Sequence, residues 1–126
     1  MNVASTVRVM RREDLEAAQR LNGGEFPKCF LAMVYERDGE ILGWASCRAD
    51  NGLPVLQAAV GKKMTGFSVM RLGEAMEDYL RRIGIYMYVF AVHVKRKRWI
   101  GVLERLGIFE RYANKAMHAW FQRRLR

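Results

Sequence analysis

"GKKMTGFSVMRLGEAM", residues 61 to 76, follows the apolar run "VLQAAV" (55 to 60) and opens a segment of helical periodicity. Val69, Leu72, Met76, Tyr79, Leu80 and Ile83 recur at helical spacing between 68 and 83, with Arg71, Glu74, Glu77 and Asp78 occupying much of the remainder. A strand that turns into a helix exposes amides with no intrahelical acceptor, and such amides can hold phosphate oxygens. Gly66 lets backbone approach a ligand closely, Ser68 is small enough not to intrude, and Lys62 and Lys63 add positive charge beside the turn. Neither the GxxxxGK[ST] order of a P-loop nor a Rossmann fingerprint is present. By itself, a glycine with two lysines before a helix more often forms a solvated connection, so the flanking segments decide its meaning.

Upstream, "VRVM" (7 to 10) reads as a short strand and "RREDLEAAQRL" as a helix, with Leu15, Ala18 and Leu21 on one face and acids near its start. "NGG" (22 to 24) stops it. The apolar runs 29 to 35 and 41 to 48 flank "ERDGE", whose Gly39 predicts a hairpin, and "NGLP" (51 to 54) is a further turn. Downstream, Gly84 ends the long helix and "IYMYVFAVHV" (85 to 94) is the most strand-like run of the chain. A second helix over about 98 to 106 groups Trp99, Val102, Leu103 and Leu106, and Trp99 is expected to pack with them. The tail "MHAWFQRRL" fits a strand or a helix. The order strand, helix, hairpin, strand, helix, strand, helix and a final strand is that of one mixed α/β domain over residues 1–126, its later strands joined by crossover helices.

Hydrophobic residues make up 51% of the chain and charged residues 28%, a globular composition. No run is long and apolar enough to span a membrane, and nothing argues for secretion, so a cytoplasmic location is expected. Cys29 and Cys47 are expected as two buried thiols. Charge is divided unevenly. Residues 1–60 carry seven basic and eight acidic side chains, whereas residues 61–126 carry fifteen and five. The second half should attract anions: a phosphorylated ligand, a nucleic acid or an acidic protein. Two histidines 25 residues apart, with no cysteine or carboxylate grouping nearby, do not make a metal site.

Four stretches in order resemble the GCN5-related N-acetyltransferase (GNAT) family. "KMTGFS" is similar to the family's Arg/Gln-x-x-Gly-x-Gly/Ala loop, with Lys63 at the Arg/Gln position, Gly66 at the glycine and Ser68 at the final Gly/Ala. "DLEAAQRL" resembles its opening helix, "YERDGEILGWASCR" its hairpin, and "WIGVLERLGIF" its late helix. The resemblance implies a central, mostly antiparallel twisted sheet flanked by helices. It implies acetyl-CoA bound through Val60, Lys62, Lys63, Met64, Thr65, Gly66, Phe67 and Ser68, and acetyl transfer to the amine of a small molecule or protein within a ternary complex.

The chain departs from the family where protons move. The position of the usual proton-donating tyrosine is Leu103, that of an asparagine seven residues earlier is Arg96, and the strand carboxylate is replaced by Gln57, which is no base near neutral pH. Tyr86, Tyr88, His93 and Tyr112 remain as proton handlers, with His93 and Tyr112 the catalytic candidates; His118 has no obvious partner in the sequence. Two other functions stay open: a catalytically inactive scaffold of this fold that binds a protein, and a nucleic-acid binder. The basic strip Lys95, Arg96, Lys97 and Arg98 could serve a macromolecular partner or attract the nucleotide end of CoA, and Arg123, Arg124 and Arg126 add a second positive cluster.

Overall fold

A computed structural model describes residues 5–125. Its elements are β1 (Ser5–Val9), a 3-10 turn (Arg12–Asp14), α1 (Leu15–Asn22), β2 (Leu31–Arg37), β3 (Glu40–Asp50), β4 (Leu53–Val60), α2 (Gly66–Arg82), β5 (Met87–His93), α3 (Lys97–Leu106), β6 (Glu110–Lys115) and β7 (His118–Arg124). The seven strands form one sheet in the order β1-β2-β3-β4-β5-β7-β6. Every neighbouring pair is antiparallel except β4 and β5.

Two hairpins follow directly from their turn residues. Arg37 pairs with Glu40 across Asp38 and Gly39 (φ 52° and 79°), and Asp50 pairs with Leu53 across Asn51 and Gly52 (φ 51° and 81°). Asp-Gly and Asn-Gly tolerate positive φ at both central positions, as a two-residue turn that matches strand twist requires. Both turns are expected from their residues, and the structure makes the second a hairpin as well.

The tail is a strand, and a strand precedes it. β6 and β7 form a third two-residue hairpin, with Lys115 paired to His118. Its turn residues are Ala116 and Met117, with φ 51° and 64°. Neither residue type signals a turn, so nothing local predicts β6. α2 begins two residues earlier than its apolar periodicity, at Gly66, with Thr65 as N-cap accepting a hydrogen bond from the Ser68 amide at 3.1 Å.

α2 and α3 lie on one face of the sheet. Leu72, Met76 and Leu80 of α2 pack against Leu31, Met33, Ala45, Cys47 and Tyr88, while Ile100 and Leu103 of α3 pack against Ala119, Phe121 and Phe90. α1 covers part of the other face, where Ala18 packs against Val34 and Trp44, and the Trp44 indole donates to the Ala18 carbonyl at 3.0 Å. Strand alternation places Val55, Gln57 and Ala59 on this second face, and the register continues it through Val89, Ala91 and His93 to Gln122, Trp120 and His118. Among the described residues none of the hydrophobic clusters joins a helix to that face of β5, β7 or β6, whereas α1 packs against β3 and β4.

Three expectations about burial are corrected. Trp99 is 40% exposed and joins no core cluster, because Ile100 and Leu103 supply the buried stripe of α3. Cys29 is exposed, lying before β2 begins, whereas Cys47 is buried in mid-sheet. Burial pushes the Cys47 thiol up to about 11. Leu15 and Ile83, read as apolar-face residues, are 38% and 48% exposed because they stand at the ends of their helices. Arg126 lies outside the described residues, and no helix among them is long and apolar enough to cross a membrane.

Candidate active site

β4 and β5 are parallel but meet at a single register point, Val55 opposite Val89. Beyond it both strands run on, to Val60 and to His93, with no further pairing among the described residues. About half the backbone amides and carbonyls on each flank of this slot face away from β3 and β7 and stay available to a ligand. The parallel geometry brings the β4–α2 loop, the α2 N-terminus and the start of α3 to the same end of the sheet. It is the crossover connection that makes the site.

The loop is held from below. The Gly61 amide donates to the Leu42 carbonyl at 2.9 Å, and the Met64 amide to the Gly61 carbonyl at 3.1 Å. Leu42 is the extra residue of a bulge in β3, which turns its carbonyl toward the loop. A Cβ at Gly61 would lie 2.7 Å from the Leu42 oxygen and 3.0 Å from Leu21 Cδ2. Gly61 is thus the glycine that the packing demands, and nothing in the sequence singles it out, because close approach of three separate segments leaves no local pattern.

Gly66 is the opposite case. A Cβ there would meet nothing within 4 Å. The Ser68 amide is taken by Thr65 Oγ1 and the Val69 amide by the Thr65 carbonyl at 3.0 Å. The amides of Gly66 and Phe67 have no partner among the described residues and open on that free space. A helix start with two free amides, a cleared approach and a 17-residue dipole behind it is suited to phosphate oxygens. These features fit the pyrophosphate of CoA.

Side chains around the loop divide into four groups. Lys62 is exposed, while Lys63 Nζ is paired with Glu40, at 2.9 and 3.2 Å from its two oxygens. Lys63 therefore faces the β2–β3 hairpin. Ser68 is buried, with its hydroxyl 2.9 Å from Thr65 Oγ1, and acts as part of the cap. Val60, Phe67 and Met70 are exposed, Phe67 at 71%, giving an apolar rim beside the free amides. Met64 packs against the core under α2.

The proton-handling candidates separate widely. Tyr88 faces the helices, donating to Glu77 Oε2 at 2.7 Å, and Arg123 Nε donates to the same oxygen at 3.1 Å. Burial, and then the Glu77 carboxylate, hold the Tyr88 phenol far above the usual tyrosine range. Tyr88 ties β5 to α2 through that hydrogen bond. Tyr86 precedes β5 and is 59% exposed. Tyr112 is the extra residue of a bulge in the edge strand β6, two strands from the slot. Leu103 is part of the α3 core contact.

His93 ends β5 on the face without a helix, level with Ala59, and its Nδ1 accepts from the Lys95 amide at 3.1 Å. His118 stands opposite it in β7, the two rings edge-on with centroids 5.1 Å apart. The structure thus gives His118 a partner that its place in the tail did not suggest. Lys95, Arg96, Lys97 and Arg98 are all exposed at the same end of the sheet.

The two concavities found elsewhere are open grooves. One, of about 400 Å³, lies between β1 and α2 and includes Arg71, Glu74 and Asp78; the other follows Gly107 to Glu110. Neither touches the slot. Among the described residues no group of three or more histidine, cysteine or carboxylate side chains is placed to hold a metal.

No family model matches this chain, and no curated protein matches it in sequence. Solved structures do match in fold. Ard1 from Thermoplasma volcanium superposes with a TM-score of 0.78 at 16% identity, covering 98% of this chain and 99% of that one. A putative acetyltransferase, yncA, from Salmonella typhimurium, solved with acetyl-CoA, gives 0.73 at 17% identity over 98% and 95%. The ribosomal-protein-S18-alanine N-acetyltransferase from Escherichia coli gives 0.70 at 19% identity over 97% and 93%. The chain has the fold of GNAT acetyltransferases, in a strongly diverged sequence.

Proposed function

We propose that this protein is an acetyl-CoA-dependent N-acetyltransferase that transfers the acetyl group directly to an amine. The observation that carries this reading is the start of α2. Its Gly66 and Phe67 amides are free and Gly66 faces open space, beside a slot between two parallel strands. Those amides would hold the pyrophosphate of acetyl-CoA, with Lys62 adding charge and Val60 and Phe67 an apolar rim. Lys63 would contribute only by sharing itself with Glu40. Strand-edge amides of β4 facing the slot would polarise the thioester carbonyl, and holding amine and thioester together lowers the barrier further. The solved acetyl-CoA complex of a protein with the same fold supports this choice of co-substrate.

The test is isothermal titration with acetyl-CoA, comparing the wild type with Gly66→Val. Saturable one-to-one binding is expected, weakened at least tenfold in the variant while its melting temperature is unchanged. Equal affinity in a folded variant would remove the loop from the site.

A non-catalytic scaffold is the second reading, favoured by Leu103. That side chain is part of the α3 core contact at the position where the resemblance expects a proton donor. This reading calls for no acetyl-CoA binding and a stable complex with a macromolecule. The exposed strip Lys95–Arg98, beside the half-exposed Trp99, is the surface we assign to such a partner. If that partner is a nucleic acid, affinity should fall steeply with salt and weaken when the four residues are neutralised.

A further inference from the structure

We propose that His118 is the general base of the site, with Nε2 receiving the proton of the acceptor amine. This rests on the acetyl-transfer function proposed above and goes beyond it by assigning the proton acceptor. The sequence favoured His93, and the hydrogen bonds favour its neighbour.

A backbone carbonyl can only accept, and a backbone amide can only donate. His118 Nδ1 lies 2.7 Å from the Ala116 carbonyl oxygen, so Nδ1 must carry the hydrogen. In the neutral ring this leaves Nε2 bare, with its lone pair free. His93 is fixed in the opposite sense. Its Nδ1 accepts from the Lys95 amide at 3.1 Å, so its neutral ring carries hydrogen on Nε2 and has no free lone pair. Of the two imidazoles, only His118 is poised to take a proton. His93 can donate or position.

The support around His118 is consistent with that role. Ala116 and Met117 both hold positive φ without being glycine or asparagine, a conformation that costs about 1–2 kcal/mol per residue. The turn is fixed from β5 as well, because the Val94 amide donates to the Met117 carbonyl at 2.9 Å. Backbone held in such a conformation persists where its surroundings over-determine it, and it concentrates at functional sites. The strained carbonyl is the one that sets the His118 tautomer.

His118 also has room to work. It lies on the sheet face that carries no helix over β5 and β7, level with His93 and, across the slot, Ala59. Ala59 and Ala91 are the small residues of this patch, bounded by Trp120 and Gln57. The phosphate-binding amides belong to α2 on the opposite face, so the slot lets co-substrate and acceptor approach from opposite sides of the sheet.

The amine nitrogen forms a bond to the thioester carbonyl carbon and its proton passes to His118 Nε2. The carbon–sulfur bond breaks and CoA leaves as thiolate. The thiolate takes a proton from water, and His118 returns its own to solvent. No side chain need replace the tyrosine that is absent at Leu103.

Two measurements test the assignment. Nitrogen-15 chemical shifts of the histidine rings in the wild-type protein should show a protonated Nδ1 and bare Nε2 for His118, with the reverse for His93. A bare Nδ1 on His118 overturns the proposal whatever the activity. The second is CoA release from acetyl-CoA with glycinamide as the acceptor, a small primary amine. His118→Gln should lower the rate about 100-fold with acetyl-CoA affinity unchanged. His93→Gln should lower it less than tenfold. If His118→Gln binds acetyl-CoA and reacts as fast as the wild type, the His118 assignment fails alone. If the wild type binds no acetyl-CoA, the transfer function fails, and the assignment with it.

Discussion

The two halves of the sheet are built to different standards. α2 packs on one face of β1 to β3 and α1 on the other face of β3 and β4, and the two hairpin turns of this half use Asp-Gly and Asn-Gly. β5, β7 and β6 carry helices on one face only, and their hairpin turns through Ala-Met at positive φ. In the first half local preference and global fold agree, which is how a sequence specifies a stable structure. In the second half they conflict, and the conflict falls beside two half-buried histidines. The first half acts as a frame, and function is sited where the second half departs from its rules.

The two loop glycines give the largest expected effect along this divide. Gly61→Val drives a Cβ to 2.7 Å from the Leu42 carbonyl, against backbone that cannot yield cheaply, and should destabilise the protein by about 3 kcal/mol or prevent folding. Gly66→Val, five residues on, enters open space and should leave chemical denaturation within about 0.5 kcal/mol of wild type. Equal destabilisation by both substitutions would erase the distinction between a glycine kept for packing and one kept for a ligand.

The next effect lies in the frame. Arg8 of β1 donates to both oxygens of Asp14 (2.7 and 3.0 Å) and to Glu36 (2.7 Å), while the Arg11 amide also donates to Asp14. The Arg8 hydrogen bonds hold the Asp14 carboxyl below the usual carboxylate range, outweighing its burial. A folded-state value below the unfolded one stabilises the protein above the unfolded value, and this contribution is lost as pH falls through the folded one. Asp14→Asn should therefore cost about 3 kcal/mol at neutral pH, with the deficit narrowing as the wild type loses the same contribution in acid. Denaturation of both proteins from pH 7 down to about pH 3 checks it. A deficit independent of pH would mean that shape, not charge, holds β1 to the first turn.

What was legible in the sequence follows the same division. Asp38-Gly39 announced its hairpin, the spacing from Val69 to Leu80 announced α2, and the run before Gly61 announced β4, because each carries its cause locally. β6 was invisible, since Ala116 and Met117 carry no turn chemistry and "FERYANK" has no clean alternation. The role of Gly61 depends on Leu21 and Leu42, 40 and 19 positions away in the chain, and no local pattern encodes that meeting. His93 could be suspected from its place at the end of a strand. Choosing between it and His118 required knowing which backbone group two residues away faces each Nδ1, a matter of turn conformation and ring rotamer, and the register of β5 with β7 is what sets the two rings side by side.

The smallest effect tests the strain itself. Replacing Ala116-Met117 by Asn-Gly supplies the residues that the other two hairpins already use and keeps the backbone path, so the Ala116 carbonyl position would still meet His118 Nδ1. Relief of two unfavourable conformations should stabilise the protein by about 1–2 kcal/mol, read as a higher melting temperature. The His118 tautomer and the rate of acetyl transfer should be unchanged, because the turn acts through its carbonyl and not through its side chains. A gain in stability with loss of the tautomer would show that the strain, and not only the path, holds the ring. No gain at all would mean that these residues sit in the turn at no cost, and the third hairpin would then be as relaxed as the other two.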